Sequence, residues 1–468
     1  MVKSLTPSLI EEIKQIAGNE NCATNLTELY AYSRDTSIFS GKPEIVIRPT
    51  NTKMVSQIVQ FAAREKISVT TAGARTGCTG GALALKGGIL LDMTSLNRLL
   101  NVNGIDLTCK CQAGIVIDVL NEKLGKKGYR FPSIPGSSAM ATIGGYIGNG
   151  GGGKHSFRFG GIKENVLGLT VVLPDGGIIE TGGRTLKRAM GYDLTRLFVG
   201  SEGTLGVICE AILRIYPIPA SIGVLVATFP SLEDAVQASN ETLKTGVVTT
   251  ALELLDVNAI KAARKYDPVI DLPEAEAALF FEIEGIEKQV ELLLEAIKEL
   301  CERNNAFYIQ KTTDTNKVED LWRARKLIGA AVSAIDENLT RVYSGEDIVV
   351  PRSKLIETIA GIKTIAKKYE LEIVIFGHVF DGNIHTGIII DKSSPDDLQK
   401  TRKVAQEIGD LALKLGGAVS AEHGVGLERA EWLKNDPAFT EMLKIKKVLD
   451  PQNIMNPGKM GFPLEEEA

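Results

Sequence analysis

Apolar and polar positions alternate with two different periods along the chain, and the change of period divides it. Ile10, Ile13 and Ile16 recur on one side of a segment opened by Thr6-Pro7, which predicts a first helix with a capping threonine and a first-turn proline. EIVIRP at 44–49 predicts a strand. TKMVSQIVQFAAREK follows with Val55, Ile58, Val59 and Ala62 on one helical face, and SVTTAG predicts the next strand. From there to about residue 220 short β-branched runs alternate with glycine turns, as in GGILLDM, LTCKCQAGIVI, NVLGLTVVLPDG and LGVICEAILRIYP. After Pro217 and Pro219 the texture changes. GVLVATF, ALFFEIEG and EIVIFGHV read as strands, between helical patterns at 286–303, 315–335 and 352–369. The fold class expected is therefore α+β, with domains at 1–220 and 221–426 and a helical C-terminal segment at 427–468 that closes in the irregular PQNIMNPGKMGFP.

Composition narrows the classes. The 468 residues exceed one ordinary core. A net charge of −5 argues against a nucleic-acid binder. No apolar run approaches the ~18–20 residues that span a bilayer, and the N-terminus does not read as a signal sequence, so a cytoplasmic location is expected. The six cysteines include no CxxC pair and encode no iron–sulphur cluster; Cys109 and Cys111 are expected as small residues on one sheet face. Self-association into a homo-oligomer is left open.

Glycine is the informative excess, with 47 residues gathered mostly before position 210. Gly73-Ala74-Arg75-Thr76-Gly77, Pro135-Gly136-Ser137-Ser138, Gly144 to Gly150 (with Gly145 and Asn149, just after Thr142) and Gly200 to Gly206 (with Gly203, just before Val207 and Ile208) form four such segments in order. Glycine lets backbone approach a ligand and aim successive N–H groups at phosphate oxygens. One loop alone is more often only a turn; four together predict a large phosphate-containing ligand. Residues 148–153 match GxGxxG, but a nicotinamide site needs a helix to open there, and Lys154-His155-Ser156-Phe157-Arg158 lacks helical periodicity. That site is rejected.

Three of the four histidines fall in two short motifs. In GHVFDGNIH, an Asp381-Gly382 hairpin turn would set His378 opposite His385, on one face and close enough to share a metal ion. A turn at Gly382-Asn383 would separate them. In GGAVSAEHG, read as a strand, Glu422 and His423 would point to opposite sides. Glu422 then completes a two-imidazole, one-carboxylate site for a divalent ion (zinc, iron or manganese), and His423 is left as a base. The rival reading is a hydrogen-bonded core histidine at each place. His155 has no partner that the sequence names. Trp322 and Arg325 share one face of a predicted helix, and Arg323 takes the exposed side.

These motifs resemble the vanillyl-alcohol oxidase (PCMH-type) family of FAD enzymes, in its D-lactate dehydrogenase, glycolate oxidase and D-2-hydroxyglutarate dehydrogenase branch. AGARTGCTGGA resembles its pyrophosphate loop, and IPGSSAMATIGGYIGNGGGG the segment along the pyrophosphate and flavin. NVLGLTVVLPDG and GYDLTRLFVGSEGTLGVI resemble the stretch around the isoalloxazine and adenine. Asn456-Pro457-Gly458-Lys459 resembles the tail returning to the flavin. The resemblance implies FAD, held noncovalently because no histidine precedes His155. It also implies a metal at His378, His385 and Glu422, His423 as base, and Arg325 on the substrate carboxylate. Oxidation of a small 2-hydroxy acid follows, with D-lactate favoured and glycolate or D-2-hydroxyglutarate as alternatives. Acids and glycine around Tyr343-Ser344-Gly345-Glu346-Asp347 disfavour a substrate with a second carboxylate. By elimination the electron acceptor is a soluble redox protein, for preference an electron-transfer flavoprotein. Rivals of another class are a non-catalytic FAD-binding subunit of a larger complex and a member performing no net redox.

Overall fold

The computed structural model describes residues 4–334, 336–342, 345–391 and 393–464; Tyr343 and Ser344, used above to weigh the substrate, lie outside them. Two compact units emerge. The first comprises Met1–Gly152, Phe159–Ile218 and Glu422–Ala468, and the second Gly153–Arg158 and Pro219–Ala421. The sequence reading placed 153–158 with the first unit and 422–426 with the second; compactness groups them the other way.

The first unit holds two main sheets. In the smaller, the strands Ile45–Ile47, Ile89–Asp92 and Val69–Ala72 run parallel. The crossover is the helix Thr52–Glu65, capped by Asn51 onto the Met54 N–H and ended by Lys66 in the left-handed conformation. Val55, Ile58, Val59 and Ala62 pack into the sheet's core, each fully buried valine or isoleucine contributing roughly 1.5–3 kcal/mol. The larger, five-stranded sheet is antiparallel, in the order Leu99–Asn103, Thr108–Gln112, Val207–Arg214, Val166–Val172, Ile178–Gly182. Cys109 and Cys111 both enter its core, as the two-residue period requires. The tail returns to the smaller sheet: Val69 N–H donates to the Ile454 carbonyl at 2.8 Å and Asn456 N–H to the Val69 carbonyl at 2.8 Å.

The second unit is built on an eight-stranded sheet. Its order is Tyr308–Thr312, Ser221–Phe229, Ala277–Gly285, Ala251–Asp256, Glu372–His378, Asn383–Asp391, Leu339–Val342, with Asp347–Val349 also pairing Asn383–Asp391. Helices cover both faces, so its strands read as nearly unbroken apolar runs. One face carries Leu225, Leu252 and Ile373 under the helices Leu232–Lys244, Glu287–Arg303, Leu355–Tyr369 and Pro395–Lys414. The other carries Val224, Phe280, Leu255 and Phe376 under Val257–Tyr266 and Thr315–Ser333. Counting by twos along the strands places Glu253, Glu282, His378 and His385 on this second face. A polar patch therefore interrupts an otherwise apolar layer.

Candidate active site

Strand register assembles the patch in the second unit. Glu253 lies directly opposite His378 in the antiparallel ladder, and its Oε1 is 2.5 Å from His378 Nδ1. Arg325, on the helix above, donates through Nε to the other carboxylate oxygen at 2.7 Å and approaches it through a terminal nitrogen at 2.7 Å. Burial pushes the Glu253 carboxyl up, but Arg325 and His378 outweigh it and hold the group below the ordinary carboxylate range. Arg323 points to the opposite side of that helix and pairs with Asp267 at 2.5 Å. Trp322 is buried and stacks on Phe280.

The hairpin differs from the expected two-residue turn. His378 pairs with Asn383, and Phe376 faces His385, so the loop is the four residues Val379–Gly382. Gly382 has φ +76°, and a Cβ there would meet the Val350 carbonyl oxygen at 2.0 Å. The register is displaced by two residues, an even step that keeps every side chain on its face. His378 and His385 thus remain neighbours, with ring centroids 5.4 Å apart and a nitrogen of each within 4.8 Å of the other. Of the acids at 345–347, Glu346 receives Arg341 at 2.6 Å and Asp347 accepts from Asn383, Ser420 and the Ala421 N–H. Arg341 is a buried cation that the sequence reading passed over.

His155, left without a partner above, has one 127 residues away. Its Nε2 is 2.7 Å from Glu282 Oε1, while Lys154 donates to Oε2 at 3.0 Å and stands 4.8 Å from the Trp322 ring centre. Burial pushes Glu282 up, yet Lys154 and His155 win and hold it far below its ordinary range. Glutamates inside the apolar ALFFEIEG and TALELLD were the available signal for both clusters.

Glu422 and His423 belong to the first unit, in a stretch that is not the expected strand. Only Ala418 forms a bridge, with Val349, because the surrounding glycines Gly416, Gly424 and Gly426 adopt positive φ and break any ladder. Alternation therefore does not separate the two side chains: His423 Nε2 lies 3.5 Å from Glu422 Oε1. Side chains fix this backbone instead. Asn149 Nδ2 donates to the Glu422 carbonyl at 2.9 Å, and the Val425 and Gly426 N–H groups donate to Glu202 at 2.6 and 2.8 Å. Burial raises the Glu202 carboxyl despite those N–H groups and Lys459. Sequence reasoning missed Glu202 as a clamp because its partners lie more than two hundred residues away.

The glycine loops of the first unit leave room beside their backbones. A Cβ on Gly77, Gly136 or Gly148 would meet nothing within 4 Å, whereas one on Gly73 would strike Thr142 Oγ1 at 2.2 Å and one on Gly144 the Ala113 Cβ at 2.6 Å. Some glycines thus permit close loop packing, and others open backbone to a ligand. Thr142 caps the Gly145 N–H, Gly150 ends that short helix at φ +71°, and Gly203 reaches φ +72°. Ala74, Thr76 and the half-buried Pro135 and Ser138 stand in the same loops, with Ser137 exposed. The Arg75 side chain turns to the Tyr32 ring and the Ala31 carbonyl. Val207 and Ile208 bury their side chains in the core, leaving only backbone for a ligand. Asn456 donates to the Gly81 and Glu202 carbonyls at 2.9 and 2.6 Å, while its buried Oδ1 has no partner among the described residues. An acceptor so placed suits an N–H of a bound ring system, and these residues fit FAD.

A glycine-lined cofactor cradle, followed by an α+β unit with a polar patch at the end of a covered sheet, defines a two-domain flavoenzyme. The chain belongs to the FAD-linked oxidases: residues 43–182 match the FAD binding domain and residues 218–460 the FAD linked oxidases, C-terminal domain. It is 33% identical over 460 residues to the glycolate oxidase subunit GlcD of Bacillus subtilis, covering 97% of each chain. It is 32% identical to a mitochondrial D-lactate dehydrogenase (cytochrome) of Arabidopsis thaliana, covering 98% of this chain and 81% of that one. The p-cresol methylhydroxylase structure shares the fold, with TM-score 0.81 at 16% identity over 99% of each chain. The α+β, PCMH-type fold is that expected. No helix among the described residues is long and apolar enough to cross a membrane.

Proposed function

We propose that this enzyme oxidises a small 2-hydroxy acid, D-lactate for preference and glycolate second, with noncovalent FAD and a divalent metal. The observation that carries the reading is the pair of buried imidazoles, His378 and His385, on one face of one hairpin, with His378 Nδ1 already committed to a carboxylate. Such a donor set suits zinc, iron or manganese. Glu422 is added as the carboxylate ligand on the sequence motif. The relatives named glycolate oxidase and D-lactate dehydrogenase support the substrate class.

When bound, the flavin supplies the hydride acceptor and the metal a Lewis acid that lowers the pKa of the substrate hydroxyl. His423 takes the hydroxyl proton. Arg325, with one edge on Glu253, offers its remaining N–H groups to the substrate carboxylate in the two-pronged geometry that guanidinium favours. An electron-transfer flavoprotein is the proposed electron acceptor. The deciding experiment mixes the protein anaerobically with D-lactate, L-lactate, glycolate and D-2-hydroxyglutarate while flavin absorbance is followed, alongside metal analysis of the purified protein. Bleaching by D-lactate and about one divalent ion per chain are expected; no bleaching by any of the four, or no metal, would overturn the reading. Reoxidation of the bleached flavin by NAD alone would remove the flavoprotein partner.

A further inference from the structure

We infer that Glu253 is a positioning residue that presets both halves of the substrate site, and the inference rests on the function proposed above. Its place is fixed by register, opposite His378 on the neighbouring strand. An ionised carboxylate only accepts, so the 2.5 Å contact puts a proton on His378 Nδ1, and a neutral ring held this way keeps its lone pair on Nε2, the nitrogen left for a metal. The same carboxylate takes Arg325 on its other oxygen. One rigid group thereby fixes the metal-binding nitrogen and the carboxylate-binding cation relative to each other before substrate arrives. A merely structural account is poorer. Glu253 is wholly buried on the sheet face that carries Leu255 and Phe376, where an apolar residue would serve the strand without the desolvation cost of a charge.

The inference is tested on FAD-loaded protein stripped of metal and labelled with 15N-histidine. With only four histidines in the chain, the His378 ring signals are assigned by comparison with His378→Gln. The wild type should show the Nδ1–H tautomer at His378, and Glu253→Gln should lose that preference. Zinc affinity by equilibrium dialysis should fall about 10–100-fold in Glu253→Gln, the range found for such outer partners. The same loss should persist in an Arg325→Met background, because it runs through His378. An Nε2–H tautomer in the wild type, or unchanged zinc affinity in Glu253→Gln, overturns the proposal. Should the glutamine variant fail to fold, the wild-type tautomer decides alone. A wild type with the Nδ1–H tautomer that binds no zinc would instead overturn the function proposed above.

Discussion

The two units place their chemistry by different means. In the second, Glu253, His378 and His385 stand on adjacent strands, and ladder pairing sets their spacing before any side chain forms a bond. In the first, the Glu422-His423 stretch has no ladder and is held by Asn149 and Glu202 reaching its backbone from distant loops. A ladder tolerates the loss of one side chain, since its neighbours keep the register. A clamped loop depends on each clamp and on glycines that can take the required φ. Substitutions should therefore act locally in the second unit and spread along the segment in the first.

The largest effect is expected at the loop. His423→Ala should slow flavin reduction by substrate roughly 10²–10⁴-fold, the usual worth of a general base, with flavin and metal content retained. Rapid-mixing absorbance measures it, and near-normal reduction would remove His423 from the mechanism. Gly424→Ala probes the clamp itself. The position has φ +80°, and a Cβ would meet Asn149 Oδ1 at 2.4 Å, so a cost of about 1–3 kcal/mol and a lower Tm are expected. Unchanged melting and turnover would show that the loop resettles freely and would break the contrast.

In the sheet-borne patch, Arg325→Lys should raise KM about tenfold with a smaller change in kcat, because an ammonium cannot supply the two-pronged contact while also meeting Glu253. Equal kinetics would assign Arg325 to holding Glu253 alone. The smallest effect on turnover, and one read as stability instead, concerns Asp256, three residues from Glu253 on the same strand. Burial pushes its carboxyl up to about 7, against 3.8 ordinarily, although it accepts the Ala259 N–H. The folded state then binds the extra proton, so stability should fall as pH rises from about 4 to 7, by at most about 1.4 kcal/mol per pH unit. Asp256→Asn keeps an acceptor for the cap and should flatten that slope in urea titrations. A slope unchanged in the variant would locate the pH dependence elsewhere.

Much of this was legible in the chain. The helix Thr52–Glu65, the change of texture after Pro219 and the shared face of Cys109 and Cys111 follow from periodicity and caps, which are local. His378 and His385 were paired correctly in face but not in register, since a turn dipeptide does not count loop residues. Glu422 and His423 were singled out by residue type, yet the strand assigned to them ignored three glycines that adopt positive φ. The partners of Glu253, Glu202 and His155 were missed for another reason. Each acts across 70 to 230 positions of sequence, where only pairing order brings residues together.

The short segment Gly153–Arg158 also bears on how the chain could be dissected. It interrupts the first unit in sequence but belongs to the second, where Lys154 pairs with buried Glu282 and His155 hydrogen-bonds to it. A fragment cut at the obvious boundaries, 219–421, would carry that carboxylate into its interior without either partner, a loss of roughly 3–5 kcal/mol. The second domain is thus not an interchangeable cassette: a swap between relatives must exchange six residues from the middle of the flavin domain along with it.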